Sequence, residues 1–122
     1  HGWNMDVHDP ALNSLMNSML ERVKVAILVD WHKGAKGITY AIQAANTELV
    51  GREIAVFVDD LITNRNLQVK NVHLIGFSLG AQIAGFAGRW LIEKFNKKFG
   101  RISGELYNFH LKILIIFELF ST

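Results

Sequence analysis

The sequence contains no cysteine and a single proline, Pro10, in 122 residues. The lack of cysteine excludes disulfides and thiolate metal sites within this segment. Long apolar runs are missing as well: residues 111–120 form the nearest one, which is shorter than the roughly 20 residues that cross a bilayer and is interrupted by Lys112 and Glu118. The sequence therefore predicts no transmembrane segment, although a hydrophobic fraction of 50% is enough to bury the core of one small domain.

The chain also lacks a strong charge of either sign, since its net charge is +2. Its most cationic region surrounds one predicted helix end and comprises Arg89, Lys94, Lys97, Lys98 and Arg101. Cations stabilise the carboxyl end of a helix, so we interpret this region as a solvated terminus and predict no nucleic-acid partner.

The first residue is histidine instead of methionine, and we expect the chain to be a fragment. The lack of a signal peptide therefore says nothing about localisation.

The most informative stretch is Gly76-Phe77-Ser78-Leu79-Gly80. It follows the β-favouring residues 72–75 and precedes a helical pattern over residues 79–97, which is the context of a nucleophile elbow. Glycines two residues before and after the serine allow the strand and the helix to approach each other at a strained turn. We therefore predict that Ser78 is a nucleophile and that the amides at the start of the helix stabilise negative charge on an attacked carbonyl.

Small residues continue into the predicted helix. Gly80, Ala84 and Gly88 recur every four residues, with Ala81 and Gly85 beside them. This spacing leaves a flat helix face that can lie close to a sheet. It supports the fold more than the chemistry, because tight packing requires small residues with or without catalysis.

Helical and strand patterns alternate along the chain. The predicted elements are a helix over 11–22, a strand over 23–29, a loop over 33–37, a long helical region ended by 64–66, a strand over 72–75, the helix over 79–97 and a strand beginning at 101–103. In the long helical region Val50, Ile54, Phe57, Val58 and Leu61 have the spacing of an apolar face. Alternation of this kind predicts an α/β fold with a mostly parallel sheet flanked by helices, in which Asp30 and Ser78 lie at the carboxyl ends of strands.

Five separated blocks together resemble the pancreatic-type neutral lipase family of α/β-hydrolases. The blocks are His1-Gly2-Trp3, Val29-Asp30-Trp31, Ala44-Ala45-Asn46-Thr47, residues 71–81 and Ala84-Gly85-Phe86-Ala87-Gly88. Their order and spacing fit from His1 to Gly104, so we expect residues 1–104 to be a partial α/β-hydrolase domain, truncated at both ends.

The resemblance implies a secreted serine esterase that cleaves ester bonds of triacylglycerols or phospholipids at a lipid–water interface. It assigns Ser78 as the catalytic nucleophile, and the backbone amides of Trp3 and Leu79 as the two halves of the oxyanion hole. Only the amide of Trp3 is needed, so its side chain can also pack in the fold. We expect no cofactor and no metal.

The family pattern breaks after Gly104. A serine nucleophile needs a histidine base held by a carboxylate, and in α/β-hydrolases both follow the serine in the chain. No aspartate follows Ser78, and the one later histidine is His110. Glu105 and His110 are too close together in one segment to supply both roles, so we expect the triad acid and histidine to be absent and the fragment to be inactive alone.

Residues before Ser78 offer other acids and bases, but they do not complete a triad either. Asp30 is expected at the correct sheet edge, with His8 or His32 in nearby loops, but their use would reverse the chain order of the fold. His73 is expected to be a partly buried, hydrogen-bonded residue of the strand before the elbow.

Residues 105–122 form an atypical tail. Gly104-Glu105-Leu106 can be encoded by GGT GAG TTG, which contains a splice-donor sequence, and the following residues are of the types that AT-rich introns encode. We therefore interpret the tail as intron read-through.

An alternative to the esterase is a catalytically inactive lipid-binding or yolk-type carrier with the same fold, although a carrier has no need of the strained serine turn.

Overall fold

The structure is a computed structural model that describes residue 8 and residues 10–105 and 113–117. Its helices are α1 (Pro10–Leu20), the single turn α2 (His32–Ala35), α3 (Tyr40–Arg65) and α4 (Leu79–Phe95). Its strands are β1 (Val25–Leu28), β2 (Val72–Phe77), β3 (Arg101–Glu105) and β4 (Ile113–Phe117). Apart from α2 and a 3₁₀ turn at Val69–Asn71, the elements agree in type and order with the sequence prediction up to residue 105, and most ends differ by one or two residues.

Local hydrogen bonds explain where the helices begin and end. The predicted 33–37 loop is partly the turn α2, because the carbonyl of Trp31 accepts hydrogen bonds from the amides of Gly34 and Ala35 at 2.8 and 3.0 Å. Helices α3 and α4 both end at an asparagine in the left-handed region, Asn66 and Asn96, whose amides bond back to the last turn. Asparagine tolerates this conformation better than most residues, so both helices stop there.

The four strands form one sheet with the order β1-β4-β2-β3. Strand β2 is parallel to β3, and β4 is antiparallel to both β1 and β2. Three strands therefore run in one direction, as predicted, and β4 runs against them. The tail beyond residue 104 was not predicted to contain a strand, yet β4 separates β1 from β2.

The core lies between α3 and α4 and one face of the sheet. Its buried side chains come from α3 (Ile54, Ala55, Val58), from β2 (Val72, Leu74) and from α4 (Leu79, Ile83, Ala84, Ala87, Leu91), with Trp31, Ala35 and Phe99 at its borders. The predicted apolar face of α3 is confirmed at Ile54 and Val58, whereas Phe57 is 43% exposed. Helices α3 and α4 lie close together at Gly51, where an added Cβ would lie 2.6 Å from the Cβ of Phe86 and 2.9 Å from the carbonyl oxygen of Ile83.

The flat face of α4 packs on the sheet. A Cβ on Gly88 would lie 2.5 Å from Cδ1 of Ile102, and a Cβ on Gly104 would lie 2.9 Å from the Cβ of Ala81. The prediction that Gly85 is part of this flat face is wrong, because nothing lies within 4 Å of the position of its Cβ and the residue is exposed. Its place one residue after Ala84 turns it away from the sheet.

Candidate active site

Ser78 occupies the turn between β2 and α4. Strand β2 ends at Phe77, and α4 begins at Leu79, so one residue reverses the direction of the chain. Ser78 has φ 51° and ψ −114°, a combination that L-residues with a side chain rarely adopt. Its side chain is half-buried. The predicted elbow is therefore present in the backbone.

Gly76 makes this turn possible by lacking a side chain. A Cβ at this position would lie 2.5 Å from the carbonyl carbon of Gly80 and 2.7 Å from the amide nitrogen of Ala81. Both atoms belong to the backbone of the first turn of α4 and cannot rotate away. Any larger residue at position 76 would push the helix from the strand and displace the serine between them.

The start of α4 supplies hydrogen-bond donors beside Ser78. The carbonyl of Ser78 accepts hydrogen bonds from the amides of Ala81 and Gln82 at 2.9 and 3.2 Å, which closes the first turn. Leu79 is the first residue of the helix, where an amide has no acceptor within the helix itself, and its side chain is fully buried. The buried side chain fixes the Leu79 amide at the positive end of the helix dipole, where an anion is stabilised.

The other residues that the sequence analysis weighed for this site are Trp3, Glu105 and His110. Trp3 and His110 lie outside the described residues. Glu105 is the last residue of β3, and its backbone is in register with Phe77, one residue before the nucleophile. The second oxyanion amide and the expected absence of the triad acid and histidine therefore stay predictions.

Asp30 and His32 form a pair at the same edge of the sheet. Because β1 and β2 run in the same direction, Asp30, which follows β1, and Ser78, which follows β2, lie at the same edge. The Oδ1 atom of Asp30 lies 2.8 Å from Nδ1 of His32 and accepts a hydrogen bond from the His32 amide at 3.1 Å. The carboxylate therefore holds the start of α2. Sequence reasoning noted both residues but not their contact, for which the i, i+2 spacing was the available signal.

A serine–histidine contact lies on the face of the sheet that is turned away from α4. The Nε2 atom of His73 is 2.9 Å from Oγ of Ser103, across strands β2 and β3, and His73 is 8% exposed. The neighbouring residues Leu74 and Ile102 face α4, so the alternation of strand side chains turns His73 and Ser103 away from it. The prediction that His73 is hydrogen-bonded and at least partly buried is confirmed, and Ser103 is the partner that the sequence alone did not identify.

In the part of the chain that the structure describes, no three histidine, aspartate or glutamate side chains are grouped as a metal site requires. None of its helices is long and apolar enough to cross a membrane.

Comparison with known proteins identifies the family. The Lipase family model matches residues 1–105. The chain is 42% identical to bovine (Bos taurus) pancreatic lipase-related protein 2 over 105 residues, which is 85% of the chain and 21% of that protein. It is 36% identical to rabbit (Oryctolagus cuniculus) hepatic triacylglycerol lipase over 115 residues, 85% of the chain and 21% of the relative.

Chicken (Gallus gallus) lipoprotein lipase is 36% identical over 100 residues, covering 80% of the chain and 20% of that protein. The chain thus spans about a fifth of the length of the curated relatives that it matches. The match and the elbow geometry agree: the chain belongs to the lipase family.

Proposed function

We propose that this chain is the nucleophile-bearing segment of a secreted serine lipase that cleaves ester bonds of triacylglycerol or phospholipid. The observation that carries the proposal is the backbone of Ser78, which has positive φ at the junction of β2 and α4. Strain of this kind persists where the surrounding structure imposes it and is concentrated at functional sites. Relatives whose names include hepatic triacylglycerol lipase and lipoprotein lipase support the substrate class.

The proposed reaction forms an acyl-enzyme. Oγ of Ser78 attacks the ester carbonyl carbon, its proton passes to a histidine base, and that histidine then protonates the departing alcohol. Water, deprotonated by the same histidine, cleaves the acyl-enzyme, releases the fatty acid and restores the serine. The amides of Leu79 and Trp3 would donate hydrogen bonds to the oxyanion in each step, and losing one such donor typically costs about 3 kcal/mol of transition-state stabilisation.

The sequence after Ser78 supports the proposal that the acid and base of the triad come from other parts of a longer protein. His110 is the one histidine after the nucleophile, and aspartate does not occur there. The interpretation of residues 105–122 as intron read-through accounts for this, and sequencing the transcript across the codons for Gly104 and Glu105 tests it. A spliced form that encodes an aspartate soon after Gly104 would support it, whereas a single transcript with this same tail would contradict it.

Labelling with a fluorophosphonate tests the function. The longer lipase of the same gene should be labelled at Ser78, and Ser78→Ala should abolish the label. Ser103→Ala is the matched control, because Ser103 also contacts a histidine but lies on β3 away from the elbow, and it should leave labelling intact. The 122-residue chain should not react.

Two outcomes would contradict the proposal. An unlabelled longer protein that still binds lipid would identify a carrier with a lipase fold. A 122-residue chain that labels at Ser78 would show that the base is already present in it.

A further inference from the structure

Strands β1 and β2 run in the same direction but are not neighbours in the sheet. The strand order places β4 between them, and β4 is antiparallel to both. Neighbouring strands lie about 4.8 Å apart, so the backbones of β1 and β2 are separated by about 10 Å. This space between β1 and β2, here called the gap, has the width of one strand.

The two walls of the gap are aligned with each other. Residue 115 lies opposite both Ile27 and Leu74, and the residues before and after it keep the same alignment. In an antiparallel central strand, successive residues direct their backbone N–H and C=O groups to the two walls in turn. A single strand in the gap therefore finds hydrogen-bond partners on one wall or the other at each position.

Contacts besides those with β4 hold each wall in place. Strand β2 packs on α4 and pairs with β3. Strand β1 contacts α1, and Trp31, which follows β1, is buried in the core. The position of each wall therefore does not depend on β4 alone, and the gap is a feature of the surrounding fold.

An empty gap would leave backbone groups of both walls without partners. Among the described residues, β1 lies at the end of the sheet with β4 as its strand partner, and β2 would keep β3 on its other side only. Backbone N–H and C=O groups that are buried without a partner are strongly destabilising, so nearly all of them are paired in folded proteins. The gap therefore favours an extended backbone as its occupant.

The side chains along the walls define the chemistry of that occupant. Val72 and Leu74 on β2 are buried in the core, and Ile27 on β1 packs against it. An occupant that continues this layer needs apolar residues at alternate positions, because strand side chains alternate between the two faces. Residues 113–117 are Ile-Leu-Ile-Ile-Phe, which are apolar throughout and mostly of β-favouring types.

The tail of the same molecule can reach the gap from β3. Because β3 is parallel to β2 and β4 is antiparallel to it, β3 ends and β4 begins at the same edge of the sheet. The chain between Glu105 and Ile113 is long enough to span up to roughly 25 Å, which exceeds the distance of about 10 Å between β3 and β4. An antiparallel occupant from the same chain therefore needs no second copy.

We propose that the gap is a binding site for one extended apolar segment, that residues 113–117 of the same chain occupy it, and that it also accepts this segment as a separate peptide. In strand addition of this kind, main-chain hydrogen bonds give affinity and alternate side chains give specificity. The inference goes beyond the proposed function, because it concerns a segment outside the family match and does not depend on Ser78.

Engineered cysteines test the occupant, since the chain has no cysteine of its own. Ala26→Cys with Ile116→Cys places two thiols at directly opposite positions, within the range that a disulfide bridges. Val25→Cys with Phe117→Cys is a second pair of the same kind. Under mild oxidation of the full chain, both pairs should form a disulfide within one molecule, as read by non-reducing electrophoresis and by mass spectrometry of the fragments.

The matched control for the disulfides is a pair out of register. Ala26→Cys with Leu114→Cys lies two residues out of register on the same face, and it should be bridged at least about tenfold more slowly.

A fluorescent peptide of residues 111–118 tests whether the site accepts a separate segment. The full-length variant Ile115→Pro, whose own strand is disrupted, should bind the peptide. Wild type should bind it at least about tenfold more weakly, because the tail of the chain competes at a high effective concentration. The same peptide with proline at the position of residue 115 is the control and should bind neither chain.

Circular dichroism shows whether Ile115→Pro is folded before the peptide is added. If the variant is unfolded, the peptide should restore its helical signal, since a segment that binds the folded state stabilises it.

Three results would overturn the proposal. Equal rates of bridging in and out of register would show that residues 113–117 do not fill the gap. Disulfides between molecules would identify the tail of a second copy as the occupant. An Ile115→Pro chain that neither binds the peptide nor recovers helical signal with it would show that the gap is not a binding site. Neither measurement involves ester cleavage, so their failure and a failure of Ser78 labelling are separate results.

Discussion

Ser78 differs from the other residues of the described chain that have positive φ. Of the three non-glycine residues of this kind in the part the structure describes, Asn66 and Asn96 have ψ of 30° and 40° and end helices. They occupy the ordinary left-handed region, where asparagine is common. Ser78 has ψ −114°, outside that region, and begins a helix instead. Its conformation belongs to the turn from β2 into α4 and not to the end of a helix.

We predict that Ser78→Gly raises the free energy of unfolding by up to about 2.5 kcal/mol. Removing the Cβ relieves strain of roughly 1–3 kcal/mol, against an entropic cost for glycine of roughly 0.5–1 kcal/mol. Ser14→Gly, at an exposed site within α1, should lower the free energy of unfolding by about 0.5 kcal/mol. Urea unfolding followed by circular dichroism measures both, and equal losses in the two variants would show that the elbow stores no strain.

Residue-scale features differ in how far the sequence reveals them. The Gly-x-Ser-x-Gly spacing predicts Ser78 and its turn, because the chemistry and the sterics of an elbow are local to five residues. The contact between His73 and Ser103 depends on the register of β2 against β3, in which Ile75 lies opposite Ser103. No local pattern sets that register, so the partner of the histidine became visible only in the structure.

At the scale of elements, the elbow depends on how closely β2 and α4 approach. We predict that Gly76→Ala lowers the free energy of unfolding by about 3 kcal/mol or more, since its methyl group would meet the backbone of Gly80 and Ala81. Gly85→Ala is the matched control. It lies in α4 with open space around it, so the higher helix propensity of alanine should stabilise the protein by up to about 1 kcal/mol.

Urea unfolding of the two alanine variants compares them directly. Opposite signs are expected for Gly76→Ala and Gly85→Ala. If both variants were stabilised, the close contact between strand and helix would be wrong, and the explanation of the elbow by steric limits would fail with it.

Elements with a strong pattern were predicted from the sequence, and the exceptions have local causes. The predicted apolar spacing of α3 covers only its second half, because the first half buries the polar side chains of Gln43 and Thr47 instead. The side-chain amide of Gln43 donates a hydrogen bond to the Lys36 carbonyl at 2.8 Å, and the hydroxyl of Thr47 donates one to the Ala44 carbonyl at 2.6 Å. Amphipathic helices are recognised in a sequence by the spacing of their apolar residues. Where a helix buries polar side chains that make specific hydrogen bonds, this spacing is interrupted and the helix is harder to predict.

At the scale of the whole molecule, strand order is the feature that sequence reasoning missed. Residues 113–117 form β4 and pair with β1 on one side and β2 on the other. The family match ends at residue 105, so the strand in the middle of the sheet comes from the tail. Pairings across such distances in sequence have no local signature, and an apolar run predicts a strand without predicting its neighbours.

We predict that Ile115→Pro lowers the free energy of unfolding by more than about 3 kcal/mol. Residue 115 is in register with Ile27 and Leu74, and proline in a central strand removes a ladder hydrogen bond and cannot adopt the strand geometry. Gln68→Pro is the control. Gln68 is exposed with φ −83°, close to the angle that the proline ring requires, and the change should stay within about 0.5 kcal/mol.

The same pair of variants tests whether the tail contributes to the stability of the fold. Urea unfolding should separate Ile115→Pro from Gln68→Pro if the tail completes the sheet, because both neighbours of β4 lose a partner at once. Equal stability of the two variants would mean that residues 113–117 contribute nothing to the fold, as expected of a translated intron sequence with no structural role. A large loss would mean that a sequence outside the family match stabilises the sheet that carries Ser78, whatever its genetic source.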